Sequence, residues 1–306
     1  MATIDINDPQ DTLPLNKQPQ FKVLTPFQLS LRRFRRNKLG LLGAVIVALF
    51  LTCAAFANWI APYTYDKTNL ANVLKEPGTS PGHPLGTDDL GRDLLSRLIY
   101  GARTSFIVAT VTTLSATVIS ILLGFLAGWF GGWVDFFIIR LVELIGSLPG
   151  LLFQILLMSL LHNGLWQVTF VIAVLAWAGG VRLVRAQVLS FKEREFVVAA
   201  QSLGASLPLL AMRHILPNII NPLIVGISFS IPSVIGSEAS LSFLGYGINE
   251  PIPSWGKMVG AAGQYLQRYT YLMLLPSACL AILVLGFAFF GDALRDALDP
   301  SSDRVA

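Results

Sequence analysis

The chain has 306 residues, of which 54% are hydrophobic and only 13% charged, with a formal net charge of +4. A typical soluble domain carries roughly 25% charged residues, and here the charges are clustered, which leaves neutral apolar runs longer than a soluble core uses. Two cysteines, Cys53 and Cys279, both lie inside such runs, so a disulfide framework and a cysteine metal site are excluded and both read as small core-filling residues.

A hydrocarbon layer about 30 Å thick needs roughly 20 apolar residues of helix. No Asp, Glu, Lys or Arg occurs from Leu39 to Tyr65, Thr104 to Val134, Leu144 to Val181, His214 to Ser237 or Tyr269 to Gly291. The third run is long enough to cross twice, and His162-Asn163-Gly164 supplies a turn in its middle. Six spans are predicted, at 39–62, 101–129, 135–161, 165–189, 218–243 and 270–291. The fold class is therefore an all-α membrane protein.

Residues 1–30 are polar, with Asp8, Asp11 and Pro14, and read as a loosely packed tail. Arg32-Arg33-Phe34-Arg35-Arg36-Asn37-Lys38 then lies directly against the first apolar run. Lys and Arg beside a span are retained in the cytoplasm, so this run reads as an inner flank, not as a nucleic-acid-binding patch. An even number of crossings puts both termini in the cytoplasm, and the inner side then holds twice as many Lys and Arg as the outer. Arg92, Arg97 and Arg103 run against that trend. Ala55-Phe56-Ala57 has the small-residue character of a signal cleavage site. The long basic flank and the apolar run beyond it favour an uncleaved anchor.

The first outer segment reads His83-Pro84-Leu85-Gly86-Thr87-Asp88-Asp89-Leu90-Gly91-Arg92-Asp93-Leu94-Leu95-Ser96-Arg97. Its glycines punctuate a compact loop, and Asp93 to Tyr100 is predicted as a helix lying on the membrane surface. The spacing of Asp88, Asp89 and Asp93 fits no EF-hand loop, so turn and cap roles are expected of them. Within or beside the spans stand Asp135, Arg140, Glu143, Arg182, Arg185 and Glu238. Such groups are costly in lipid and face protein or a water-filled path. Arg140 and Glu143, three apart, are placed to pair. Glu238, near the outer end of the fifth span, is a candidate for the pathway or its gate, or for a subunit interface. Gly124, Gly128, Gly179 and Gly180 permit close helix packing.

The most informative stretch joins the fourth and fifth spans, over residues 190–217. Glu195 to Leu203 suits a short amphipathic helix. Ala199 and Ala200 allow another surface to come close, and Gly204 can end the helix in a left-handed conformation. Pro217-Asn218 is expected to reset the chain before the next span. On the residues alone, an interfacial helix with no partner and a lever moved by a cytoplasmic partner are equally served. The closing stretch, Gly291-Asp292-Ala293-Leu294-Arg295-Asp296-Ala297-Leu298-Asp299-Pro300, is predicted as a short helix packed near that loop.

Ala199-Ala200-x-x-x-Gly204, with Leu216-Pro217 following, resembles the coupling-helix motif of ABC importer permeases. The glutamate usual before the two alanines is replaced by Val198, and an isoleucine three residues before the proline by His214. Arg213-His214-Ile215-Leu216-Pro217-Asn218 is similar to the oligopeptide/dipeptide branch. So are the outer segment above, Glu238-Ala239-Ser240-Leu241-Ser242-Phe243-Leu244-Gly245-Tyr246-Gly247 with Ser254-Trp255-Gly256, and the closing stretch. Residues 30–300 thus resemble the second membrane permease of oligopeptide, dipeptide and nickel ABC importers, which implies a type I permease fold.

That resemblance implies a heterodimer with a homologous permease, two cytoplasmic ATPase subunits and an extracellular or periplasmic solute-binding protein. It assigns ATPase coupling to Glu195, Ala199, Ala200, Gly204 and Pro217, and makes Arg92 and Arg97 candidate contacts of the binding protein. It also implies a bacterial inner-membrane location and a layout of tail 1–38, first span and outer loop 39–100, permease core 101–291 and tail 292–306. The chain holds no Gly-x-x-x-x-Gly-Lys-Ser/Thr phosphate loop, so ATP and its Mg are expected on the partner subunits and no cofactor on this chain. His83, His162 and His214 lie at different depths and make no metal cluster. No Gly-x-Ser-x-Gly elbow marks a hydrolase. A secondary transporter would need inverted repeats and is the remote alternative. Peptides are the expected cargo, with nickel chelates or another small solute as the alternative.

Overall fold

A computed structural model of the chain describes residues 25–299, and the expectations for the first and last residues of the chain fall outside that range. Thr25 opens α1 (Pro26–Arg36) with a capping box, its hydroxyl accepting from the Gln28 N–H while the Gln28 side chain accepts from Thr25 N–H. The expected tail is therefore helical over its last third. Phe34 of this helix meets Phe290 edge-on at 5.6 Å, and Arg33 donates to the Asp299 carbonyl at 2.8 Å. The two ends of the described chain thus meet at one face of the bundle.

Helix α2 (Lys38–Ala55) starts on an Asn37 cap and is followed by the single turn α3 (Ala57–Ile60). The surface helix predicted at Asp93–Tyr100 does not stand alone. It forms the first turns of α4 (Leu94–Phe130), because Asp93 caps the helix and nothing between Tyr100 and Thr104 breaks it. At 37 residues α4 is about 55 Å long, well beyond the hydrocarbon thickness, so its first turns project from the layer.

The span predicted at 135–161 is broken. Helix α5 (Gly132–Ser147) and α6 (Gly150–Leu160) meet at a 90° bend. Leu148 there is extended, as a residue before proline is forced to be. The next helices are α7 (Leu165–Lys192), α8 (Glu195–Ser202) and the turn α9 (Leu207–Leu209). A π-helical turn, Leu210–Ile215, leads directly into α10 (Leu216–Phe243). Pro217 therefore does not reset the chain; it follows the π-helical turn inside a helical run that continues unbroken from Leu207 to Phe243. Helix α11 (Trp255–Ala262) and α12 (Tyr271–Leu298) complete the chain. The closing stretch is the end of α12 and packs on α1 and α2, not beside α8.

Whether α5 and α6 cross or merely dip is settled by their neighbours. The Thr112 hydroxyl donates to the Thr169 carbonyl, and that of Ser120 to the Trp177 carbonyl. Further along, Gly124 packs on Val184, Gly128 on Val188, and Lys192 donates to the Trp129 carbonyl. Partners rise together in number, so α4 and α7 run parallel. The chain between them must return the full height, and α5–α6 is a crossing bent in its middle. Among the described residues the apolar helices traverse the bundle six times.

One face of the bundle carries α1, the end of α12 and α8. The opposite face carries residues 56–93 and 244–270. The core lies nearer that second face, around Leu94, Leu98, Val108, Ile235, Leu241, Leu283 and Trp255. Cys53 and Cys279 are free and half-buried. Of the four glycines singled out for packing, Gly124, Gly128 and Gly180 meet neighbours, whereas Gly179 faces open space. Helix α2 packs on α12 through Gly40 and Gly43, and a Cβ on Gly43 would lie 2.6 Å from the Gly286 carbonyl oxygen. Gly43→Leu should therefore destabilise the fold by about 1–3 kcal/mol, lowering the melting temperature of the purified protein. Val45→Ala, at a side chain 64% exposed, should shift it by less than about 0.5 kcal/mol.

Candidate functional site

The loop between α7 and α10 forms the helix expected of it. Arg194 is extended ahead of α8, and Glu195 in the first turn places its charge at the positive end of the helix dipole. The helix stops at Leu203. Gly204 follows at φ +84°, donating to the Gln201 carbonyl at 3.0 Å, and the Ala205 N–H reaches the Ala200 carbonyl at 3.1 Å. Among the described residues, its chain neighbours aside, nothing lies within 4 Å of where a Gly204 Cβ would stand.

Val197 is fully buried and anchors α8 toward the π-helical turn, with the Phe196 and His214 rings 6.4 Å apart. The other side of the helix is uncovered. Ala199 is exposed and Ala200 half-buried, while Val198 is 48%, Met212 66% and Leu203 89% exposed. Val198, Ala199 and Leu203 belong to α8 and the residue that ends it, whereas Met212 lies on the helical run that continues into α10 and faces a groove shared with Phe125 and Leu126 of α4.

The opposite face is built on ion pairs. Asp93 caps α4 through the Ser96 N–H at 2.8 Å and also accepts from the Ser96 hydroxyl and from His83. Asp88 closes its turn by accepting the Leu90 and Arg92 N–H groups. The aspartates thus serve as turn and cap residues. Arg92 donates to Asp88 at 2.6 Å and to Glu250 at 2.6 Å, and Arg97 reaches Glu250 at 3.2 Å and the Tyr65 carbonyl at 3.3 Å.

Arg92 is only 6% and Arg97 2% exposed, so neither offers a free guanidinium to a docking protein. Both are spent on joining residues 63–93 to Glu250 in the loop after α10. Glu250 belongs to none of the sequence motifs above, and two arginines flanking one loop are the signal that a carboxylate lies nearby.

Burial acts to raise the Glu250 carboxyl, and Arg97 and Arg92 more than offset it, holding the group below its ordinary value. Burial likewise acts to lower Arg92, but Asp88 and Glu250 raise it overall.

Glu238 is 1% exposed and accepts from the Ser242 hydroxyl at 2.7 Å and the Ser254 hydroxyl at 2.6 Å. It ties the end of α10 to the start of α11 inside the subunit. It lines neither a pathway nor an outward interface. Beside it Trp255 is 1% exposed and donates to the Leu98 carbonyl at 3.0 Å. Within the spans, Arg185 grips Asp135 across α7 and α5 with two nitrogens, and Arg140 donates to Glu143 at 2.8 Å.

Six helical traverses with a short, partly uncovered helix on the loop between the fourth and fifth define the permease fold of ABC importers. A chain of the methionine ABC transporter MetNI, crystallised facing inward, shares it with a TM-score of 0.53 at 18% identity, covering 66% of this chain and 96% of that one. The chain belongs to the family of binding-protein-dependent transport system inner membrane components, which matches residues 120–304. Residues 25–77 match the N-terminal transmembrane domain of oligopeptide transport permease C.

The chain is 37% identical to the oligopeptide transport system permease protein OppC of Bacillus subtilis, over 91% of both chains. It is 36% identical to the di/tripeptide transport system permease protein DppC of Pseudomonas aeruginosa, over 94% of this chain and 96% of that one. The Escherichia coli OppC is 37% identical over 88% of this chain and 89% of that one.

This ion network makes an acid-dependent contribution to stability. Because the folded Glu250 value is depressed, its stabilisation is complete above the ordinary value of 4.5 and is lost as the pH falls through the lower folded value. Glu250→Gln should therefore flatten the fall in melting temperature below about pH 5 relative to the unaltered protein, and change it little above that. Arg97→Met should cost about 2 kcal/mol by leaving Asp88 and Glu250 short of a cation, read as faster proteolysis of residues 63–93.

Proposed function

We propose that the chain is one of two homologous permease subunits that together form the membrane pathway of an ATP-driven importer for di- or oligopeptides. The observation that carries this reading is α8. It is a helix held on one side by the π-helical turn and presenting small and apolar residues on the other, on a loop that enters two spanning helices directly. The names of the relatives supply the peptide cargo.

The α8 face is the cytoplasmic one in this reading. It collects Arg32, Arg33, Arg35, Arg36, Lys38, Lys192, Arg194 and Arg213, as retention of basic flanks predicts. Helix α1 and the end of α12 lie there too. Two ATPase subunits dock on this face and hold ATP and Mg. The solute-binding protein lands on the opposite face, over the two loops that Arg92 and Arg97 join.

The power stroke follows from how α8 is mounted. When the ATPases close on ATP they carry α8 with them. Val197 and the Phe196–His214 contact pass that displacement to the π-helical turn and hence to α10, which enters the membrane without a break. Glu195, Ala199, Ala200 and Gly204 shape the docked end, and Pro217 lies where motion enters the span. Closure opens the pathway outward, and hydrolysis resets it inward.

The test is binding-protein-stimulated ATP hydrolysis by the assembled complex. Gly204→Val places a β-branched residue at φ +84°, a conformation that costs about 1 kcal/mol or more. It also adds bulk where the partner docks. Stimulated hydrolysis and transport should fall sharply, while pairing with the sister permease is kept. Ala200→Arg should act alike, and Gln201→Ala, at an exposed position, should be mild. Full coupled transport by Gly204→Val at normal expression removes α8 from the lever role. A reporter fused at residue 306 should be cytoplasmic; an external reporter overturns the orientation.

A further inference from the structure

The 18 residues of α2 make a helix about 27 Å long, close to the thickness of a hydrocarbon layer, so Lys38 and Ala55 stand at its two boundaries. Phe56 and Trp59, stacked on each other with Trp59 82% exposed, have the character of aromatic anchors at one of them. Helix α1 ends at the other. Asn37 between α1 and α2 is extended, which breaks the common axis, and α1 lies on the end of α12. Gly40 faces Ala293, so that end of α12 leaves the layer at the same level. Helix α1 is thus held at headgroup depth.

The two sides of α1 differ in kind. Ser30, Leu31 and Phe34 share one of them, by the three-and-four spacing of a helix. With Phe290, Leu294 and Leu298 of α12 they wall a half-open groove of about 390 Å³, in which Leu31 stays 39% exposed. Arginines fill the rest of the surface. Arg33 is engaged with the Asp299 carbonyl, whereas Arg32, Arg35 and Arg36 are exposed and enter none of the ion pairs formed among the described residues. Asp292 and Asp296 stand two residues before and after Leu294, about 200° round α12 from it, and so face away from the groove.

We propose that the groove between α1 and α12 is a binding site for an anionic phospholipid. An acyl chain lies along Phe34, Leu294 and Leu298, and the phosphate meets the arginines of α1, with Arg35 one turn from Leu31 at the rim. A basic amphipathic helix at this depth meets acyl chains on one side and phosphate on the other, and arginine forks suit phosphate oxygens. A soluble phosphate would satisfy only the polar half of the site. A zwitterionic lipid would bring its own cation toward an excess of guanidinium groups. Basic clusters beside a span attract anionic headgroups for this reason. The site lies at the lipid boundary of the subunit and does not depend on which solute the transporter carries.

The experiment uses the complete transporter in nanodiscs of phosphatidylcholine. A minor fraction is replaced by phosphatidylglycerol carrying a photoreactive diazirine on one acyl chain, and labelled peptides are identified by mass spectrometry. Peptides covering residues 26–36 and 286–298 should be labelled at least fivefold more by this probe than by phosphatidylcholine carrying the same group. One cation near an anionic surface is worth about fivefold in binding. Arg32→Gln, Arg35→Gln and Arg36→Gln together should therefore abolish the preference, with the melting temperature in pure phosphatidylcholine unchanged. Leu294→Trp, which fills the groove, should lower labelling by both probes.

Equal labelling by the two probes, or a preference that survives loss of the three arginines, overturns the proposal. So does absence of labelling on α1 and α12 from either probe, because another surface then covers the groove. Excess glycerol phosphate should not compete; competition assigns the arginines to a soluble phosphate instead.

Discussion

Helices α4 and α7 touch through their smallest residues and run in the same direction, and most of the architecture follows from that contact. Gly124, Gly128 and Gly180 let the two backbones approach, with Val184, Val188 and Ser120 filling the places that side chains would take. Parallel neighbours oblige the intervening chain to return the full height of the bundle, which α5 and α6 do despite the bend at Leu148-Pro149. Six traverses result among the described residues. Helix α1 and the end of α12 therefore fall on one face, and the loop between α7 and α10 falls on that same face.

The bilayer imposes a second condition, that charge and unpaired backbone be kept out of hydrocarbon. The subunit meets it by pairing. Arg92 and Arg97 are taken up by Asp88 and Glu250, and Arg103 by the Ala54 and Ala55 carbonyls and the Asn58 side chain. These are the three arginines that disagree with the inner retention of basic residues. With their charges so engaged, they hold the outer loops in shape. Inside the spans, Asp135 with Arg185 and Arg140 with Glu143 follow the same logic.

The two faces of the bundle are built differently. Residues 56–93 and 244–270 are held by buried ion pairs and by Trp255, Glu238 and Ser254. The helix α8 hangs on one buried residue, Val197, and leaves Val198 and Leu203 uncovered. A face held by buried pairs keeps its shape, whereas exposed apolar area is free to meet another surface.

Length and polarity patterns act locally, and what depends on them was legible in the chain. Charge-free runs marked the spans, and Glu195–Gly204 a short helix ended by a glycine. The four segments quoted for the resemblance placed the chain in its family. What depended on contacts between distant residues was not legible. Asp93–Tyr100 reads as a separate surface helix until α4 is seen to run through it, and residues 26–36 as a tail until Phe34 finds Phe290. Arg92 and Arg97 look like exposed contacts because Glu250 lies about 150 residues away in sequence. Glu238 looks like a gate because Ser254, which covers it, belongs to the next element. A side chain's exposure is decided by what packs on it, and for these residues the packing partners come from other helices and loops.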